Sequence, residues 1–229
     1  MDETLLNVAS VRPRTLTNGP GWRGAVWVQG CTIRCPGCFN PQTHPHEAKH
    51  LWRPESLAEH LVGPDIEGIS ILGGEPFEQA AACARLAVRA HELGASVVTY
   101  SGYTWSYLQK SSLPEVQALI AASDVLFAGP FVAGRRNDGA GWRGSTNQEV
   151  VFLTDRYDRS IFEQIDAIPI IEGWADAAAL AWSGIPADAD VTAIHAVIEA
   201  TGTRFHQPEE HGHAREMDGT TRETACRRT

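Results

Sequence analysis

Three cysteines fall in one short stretch, Cys31, Cys35 and Cys38, spaced Cys-x3-Cys-x2-Cys. The other two stand apart, Cys83 in an alanine-rich run and Cys226 close to the C-terminus. An odd count of 5 argues against a disulfide framework and for metal-binding or catalytic thiols. A structural zinc site wants four closed ligands, commonly two Cys-x2-Cys pairs far apart, and an electron-transfer cubane takes a fourth cysteine. Three thiolates from one loop suit three corners of an iron–sulfur cubane whose remaining iron is open to a substrate. His44, His46 and His50 follow in the same loop and can complete a zinc site, so spacing alone leaves both readings standing.

The elements around the cysteines must position them. Residues 25–30, Ala-Val-Trp-Val-Gln-Gly, form an apolar run that leads straight into Cys31 and reads as a buried strand. From Cys31 to about Arg53 the chain is a long loop, with Pro36, Pro41 and Pro45 opposing helix. Further strands are expected at Gly68–Leu72, Ser96–Tyr100, Val125–Ala128 and Glu149–Leu153. Helices are expected from Pro54, over 77–93 with Gly94 as its stop, from Trp105 to about Lys110, and from Pro114 to about Ala122. Strands alternating with helices give an α/β class with a parallel sheet, whose functional loops follow the strand C-termini. The cysteine loop and Gly73-Gly74 both follow strands and so belong on one edge.

After Thr154 the rhythm changes. Ala167–Glu172 and Ala179–Ile185 read as a hairpin around 173–176, and Asp190–Ala200 as a helix with Ile194, Val197 and Ile198 on one face. From about Gln207 the chain is polar and apolar-poor, the composition of a disordered tail. The expected organisation is therefore a core over 1–154, an extension over 155–206 and a tail over 207–229. A formal net charge of −9 repels nucleic-acid backbone. No apolar run approaches the roughly 20 residues that span a bilayer, and the acidic start lacks a signal-peptide layout, so the expected location is the cytoplasm.

The run Asn18-Gly-Pro-Gly-Trp-Arg-Gly-Ala-Val-Trp-Val-Gln-Gly-Cys31-Thr-Ile-Arg-Cys35-Pro-Gly-Cys38-Phe-Asn-Pro-Gln-Thr43 resembles the radical S-adenosylmethionine (SAM) superfamily. Within it the run is most like the activating enzymes of anaerobic (class III) ribonucleotide reductase and of pyruvate formate-lyase. Ser70-Ile-Leu-Gly-Gly-Glu-Pro-Phe77 resembles the superfamily's SAM-binding strand end. Gly129-Pro-Phe-Val and Trp142-Arg-Gly-Ser-Thr-Asn-Gln148 resemble the closing segment of the reductase activators. Most superfamily members carry an aromatic residue just before the third cysteine. Here that place is Gly37 and the aromatic is Phe39, as in the reductase-activator subgroup. That subgroup usually ends near the Asn-Gln block, whereas this chain continues.

The resemblance implies a partial (β/α) barrel of the radical SAM type with a small C-terminal extension. It implies a [4Fe-4S] cluster on Cys31, Cys35 and Cys38, with S-adenosylmethionine chelating the open iron. Gly73, Gly74, Glu75 and Pro76 then bind the methionine end of SAM, and Thr99, Ser101 and Tyr103, at the next strand end, its carboxylate or ribose. Each also has a plainer reading, a turn for the first group and helix caps for the hydroxyls. Phe39 shields the cluster edge, and Asn18 either contacts the ligand or caps its turn. Arg143, Ser145, Asn147 and Gln148 border the site and the partner surface, or simply form a tight turn.

Reductive cleavage of SAM to a 5′-deoxyadenosyl radical is the implied activity, with a glycyl-radical enzyme such as anaerobic ribonucleotide reductase as acceptor. The alternatives are a radical SAM enzyme acting on a small metabolite or peptide, and a zinc-binding interaction module. The chain has no second cysteine cluster, so a flavodoxin or ferredoxin is the implied electron donor.

Overall fold

A computed structural model describes residues 4–136, 141–162, 171–175, 180–184 and 196. Strands β1 (Leu6–Thr15), β2 (Arg23–Val28), β3 (His50–Trp52), β4 (Gly68–Gly73), β5 (Ser96–Ser101), β6 (Val125–Ala128) and β7 (Glu149–Phe152) form one seven-stranded sheet in the order β3-β1-β2-β4-β5-β6-β7. The central four, β2, β4, β5 and β6, are parallel, while β1, β3 and β7 close the edges antiparallel. Helices α1 (Pro54–Leu61), α2 (Ala80–Glu92), α3 (Trp105–Gln109) and α4 (Pro114–Ala121) connect the strands. A separate hairpin pairs β8 (Ile171–Ala175) with β9 (Leu180–Gly184). Among the described residues no helix is long and apolar enough to cross a membrane.

Strand alternation divides the core in two. Val26, Val28, Ile69, Ile71, Val97 and Leu126 pack under the helices with Leu57, Leu61, Leu86 and Leu119. The residues between them turn to the other face, where Ala25, Trp27 and Leu72 form one small cluster and Val98, Tyr100, Val125, Phe127 and Trp142 another. Parallel strands covered on both faces read as continuous apolar runs, which is why these strands were legible as runs without alternation.

Every strand expected within 1–154 is present. The segment expected as one helix over 77–93 begins as a 3-10 turn over Pro76–Gln79, and α2 proper starts at Ala80. The long strand β1 and the three-residue edge strand β3 were not expected, and neither was the antiparallel return of β7. The expected turn at 173–176 is not one: residues 173–175 continue β8 and pair with β9. Gly173 and Trp174 pair with Trp182 and Ala181 inside the ladder, where tryptophan is a good strand former. Apart from Ala196, the helix expected over 190–200 and the tail after 207 lie outside the described residues.

Candidate iron–sulfur site

Four parallel strands end on the same side, and each delivers part of one cavity of about 210 Å³. Cys31, Cys35, Cys38 and Phe39 come from the loop after β2, Gly73, Gly74 and Glu75 from the end of β4, Ser101 and Gly102 from the end of β5, and Gly129 from the end of β6. Trp27, Leu72 and Tyr100 supply its apolar floor, and Trp142, Gly144 and Gln148 part of its wall. The three cysteines and the Gly-Gly-Glu turn, far apart in sequence, thus share one cavity.

The cysteine loop is folded back on β2. Gly30 N–H donates to Thr43 O at 2.8 Å and Cys31 N–H to His44 O at 3.2 Å, while the Gln29 amide donates to Pro45 O at 2.6 Å. Arg34 takes a left-handed φ of 49°, which turns the chain between the first two cysteines. A second anchor comes from the turn that follows Glu75. Glu78 Oε1 accepts from the backbone N–H of Thr32 at 2.8 Å and from its hydroxyl at 2.5 Å, and Glu78 Oε2 meets His46 Nε2 at 2.8 Å. His46 lies over Gly30, where a Cβ would stand 2.9 Å from the ring. One carboxylate therefore grips both flanks of Cys31. Glu78 was not among the expected site residues, and His46 entered only as a residue that can complete a zinc site; only their meeting in space reveals the clamp.

Gly73 and Gly74 are glycines for a structural reason. A Cβ on Gly73 would lie 2.5 Å from Trp27 Cα, and one on Gly74 would lie 2.3 Å from Gly30 O. The close approach they permit is to the end of β2, and it draws the Gly-Gly-Glu turn against the cysteine loop. Glu75 is 1% exposed. Its carboxylate accepts from Phe77 N–H at 3.0 Å, the Ser101 hydroxyl at 2.9 Å and Gly102 N–H at 2.8 Å. The side chain thus spans the ends of β4 and β5, and burial pushes its carboxyl up to about 7 against those three bonds.

Other expected residues separate into two groups. Asn18 and Ser101 line the cavity, whereas Thr99, further back along β5 on the helix-covered face, has its hydroxyl 2.8 Å from that of Ser123. Pro76 is buried at the start of the 3-10 turn, and Tyr103 stacks on Tyr107 beside α3. In the closing block, Gln148 Oε1 accepts from Gly144 and Ser145 N–H and its amide donates to Gly129 O. Asn147 donates to Pro130 O, the Ser145 hydroxyl accepts from Val132 N–H, and Arg143 donates to Gln148 O. The block is a brace that holds the loop after β6. That loop in turn reaches the cysteines, with Phe131 against Phe39 at 4.8 Å and the Arg136 guanidinium 5.1 Å over the Phe39 ring. Tyr100 was missed because attention to strand-end hydroxyls favoured its neighbours; strict alternation about Ser101 and Thr99 would have singled it out.

The donor set can be tested against an iron–sulfur cluster. Among the described residues no three His, Cys, Asp or Glu side chains converge on a single ion. A cubane takes each thiolate on a different iron and asks for sulfurs spread around a larger body than one ion. Burial raises the Cys31 and Cys38 thiols, and backbone N–H groups oppose it, those of Arg34 and Ile33 at Cys31 and that of Asn40 at Cys38. N–H groups aimed at sulfur favour the thiolate that iron binding requires. Three thiols, their N–H donors and a shared cavity fit a cubane.

Residues 17–151 match the family described as a 4Fe-4S single cluster domain. Fold and site thus define an iron–sulfur protein of the single-cluster class. The anaerobic ribonucleoside-triphosphate reductase-activating protein of Vibrio cholerae is 31% identical over 156 residues, which cover 63% of this chain and 97% of that one. The protein of the same name from Escherichia coli K12 is 29% identical over 165 residues, 65% of this chain and 99% of its own. That of enterobacteria phage T4 is 26% identical over 157 residues, covering 66% and 96%. This chain belongs to that family of activating enzymes, a branch of the radical SAM proteins.

Proposed function

We propose that this enzyme activates an anaerobic ribonucleotide reductase by generating a glycyl radical on it, with a [4Fe-4S] cluster on Cys31, Cys35 and Cys38 and S-adenosylmethionine as co-substrate. The observation that carries the reading is the meeting of three cysteines, with no fourth among the described residues, and the Gly73-Gly74-Glu75 turn in one cavity. When bound, the reduced cluster supplies the electron that splits S-adenosylmethionine into methionine and a 5′-deoxyadenosyl radical, which takes hydrogen from a glycine Cα.

The chain's own residues do the positioning. The Glu78 clamp sets the cysteine loop, Glu75 fixes the ends of β4 and β5 to each other, and the Trp27, Leu72 and Tyr100 side chains keep the cavity floor apolar. On this reading residues 1–154 are the radical SAM core in its partial-barrel form, 155–206 an extension and 207–229 a tail. The enzyme works in the cytoplasm and takes its electron from a flavodoxin or ferredoxin.

The test is anaerobic reconstitution, reduction with dithionite and addition of S-adenosylmethionine together with the reductase. The parent is expected to bind iron, form 5′-deoxyadenosine and raise a glycyl-radical signal in electron paramagnetic resonance; Cys35→Ala is expected to do none of these. Tightly bound zinc, no iron and no 5′-deoxyadenosine from the parent would overturn the reading in favour of a zinc-binding module.

A further inference from the structure

The hairpin β8–β9 lies outside the stretch 17–151 that matches the single-cluster family, yet Ser183 and Gly184 line the cavity that the three cysteines share. Two residues fasten it there. Glu172 and Ser183 are direct partners across the hairpin ladder, so their side chains leave the same face. Ser183, 5% exposed, accepts the Asn18 side-chain amide at 2.8 Å and lies 3.1 Å from the Thr17 hydroxyl. Glu172 accepts from the Thr15 hydroxyl at 2.5 Å and from Leu16 N–H at 3.2 Å.

The receiving segment is built for this contact. Thr15, Thr17 and Asn18 are all buried, and their side chains bond one another as well as the hairpin. Buried donors left without partners cost about 1–3 kcal/mol each. A carboxylate and a hydroxyl supplied from the extension complete a network that the core leaves open. Asn18, which the resemblance offered to a ligand, spends its amide on the extension.

We propose that β8–β9 is a wall of the active site that couples S-adenosylmethionine cleavage to hydrogen transfer from the intended acceptor. The proposal rests on the function given above. A primary carbon radical takes hydrogen from almost any C–H bond it meets and is readily quenched by small reductants. Enclosure is what directs it, since a closed site shuts out side reactions. The matched family stretch contributes the floor and the cysteine side of the cavity, and the extension contributes the side beside Asn18. Loosening the wall leaves the cysteines and the Gly-Gly-Glu turn in place but lets the radical be lost to solvent-borne reductant.

The experiment uses the reconstituted full-length enzyme with the reductase, and compares the parent with Ser183→Ala and with the Glu172→Ala/Ser183→Ala pair. The quantity read is 5′-deoxyadenosine formed per glycyl radical spin. The pair is expected to raise this ratio about threefold or more, and Ser183→Ala by less. A merely structural defect would lower both products together and leave the ratio unmoved, which would overturn the proposal. Hydrogen exchange of the Leu16 amide gives a readout free of turnover: it should quicken about tenfold in the pair, as expected when a bond to a charged acceptor is lost. An unchanged rate would show that the hairpin does not hold this segment. If the parent raises no radical on the reductase, the function above fails, and the wall is judged by 5′-deoxyadenosine formed without acceptor. A faster rate in the pair then supports it and an equal rate overturns it.

Discussion

Asp124 and Glu75 stand at opposite ends of the parallel strands, each buried and each accepting three hydrogen bonds. Burial pushes the Asp124 carboxyl up, but His91 at 3.0 Å, Thr154 at 2.6 Å and Val97 N–H at 2.8 Å outweigh it and bring it down to about 2. At Glu75 burial wins over bonds from Phe77, Gly102 and Ser101, and the carboxyl rises to about 7. The partners differ: Asp124 has the His91 imidazole beside it as well as a hydroxyl and a backbone N–H, and Glu75 has no such ring. The neighbourhoods differ in the same sense. Beside Asp124's end, Arg23 is wholly buried yet donates to Ser70, Pro20, Ile69 and Ser96. At the cavity end the Tyr100 hydroxyl, Gln42 Oε1 and Asn147 Oδ1 are buried without a partner. One end of the sheet pairs its polar groups internally, and the other leaves several of them unpaired around the cavity.

Removing the guanidinium is the strongest way to break the contrast. Arg23→Met should destabilise the metal-free protein by about 3–5 kcal/mol in denaturant unfolding, because it orphans carbonyls and hydroxyls that no water reaches. An effect below about 1 kcal/mol would mean the end is not the stabilising one.

The two carboxylates sharpen it through pH. Glu75 titrates higher in the folded state, so its contribution is full below about pH 4.3 and is lost as pH rises through about 7. Asp124 is depressed, so its contribution is present above about pH 3.9 and is lost as pH falls through about 2. The stability difference between the metal-free parent and Glu75→Gln should therefore shift by about 3 kcal/mol between pH 4 and 8, and that for Asp124→Asn should be flat over the same window. Equal slopes in the two series would erase the distinction.

The smallest expected effect concerns the clamp. Glu78→Ala should leave unfolding within about 1 kcal/mol of the parent yet release cluster iron to a chelator about three- to tenfold faster. Iron release at the parental rate would show that Cys31 does not depend on Glu78.

The parts of this division that are written locally were readable in advance. Apolar runs marked the parallel strands, prolines marked the starts of α1 and α4, and Cys-x3-Cys-x2-Cys marked the loop at the end of β2. The Gly-Gly-Glu turn was readable as a site feature, but the need for its glycines is set by Trp27 and Gly30 on another strand. Long-range partners explain the remaining gaps. Glu78 becomes meaningful only beside Thr32 and His46, and Glu172 only beside Thr15 and Leu16. Strand β1 mixes polar and apolar residues and is bent by two register shifts, so it carries no clean period.

The reversed direction of β7 has a consequence for how such an enzyme can change over generations. Running against its neighbours, it returns the chain to the end of the sheet where Leu153 N–H donates to Asp124 O and Tyr157 lies on Ser96 and Glu67, far from the cysteines. The hairpin pairs only with itself, not with the main sheet, and meets Asn18 through the Ser183 side chain. An appendage delivered in this way can be swapped, lengthened or dropped without reopening the sheet, so the acceptor can drift while the radical-forming half stays as it was.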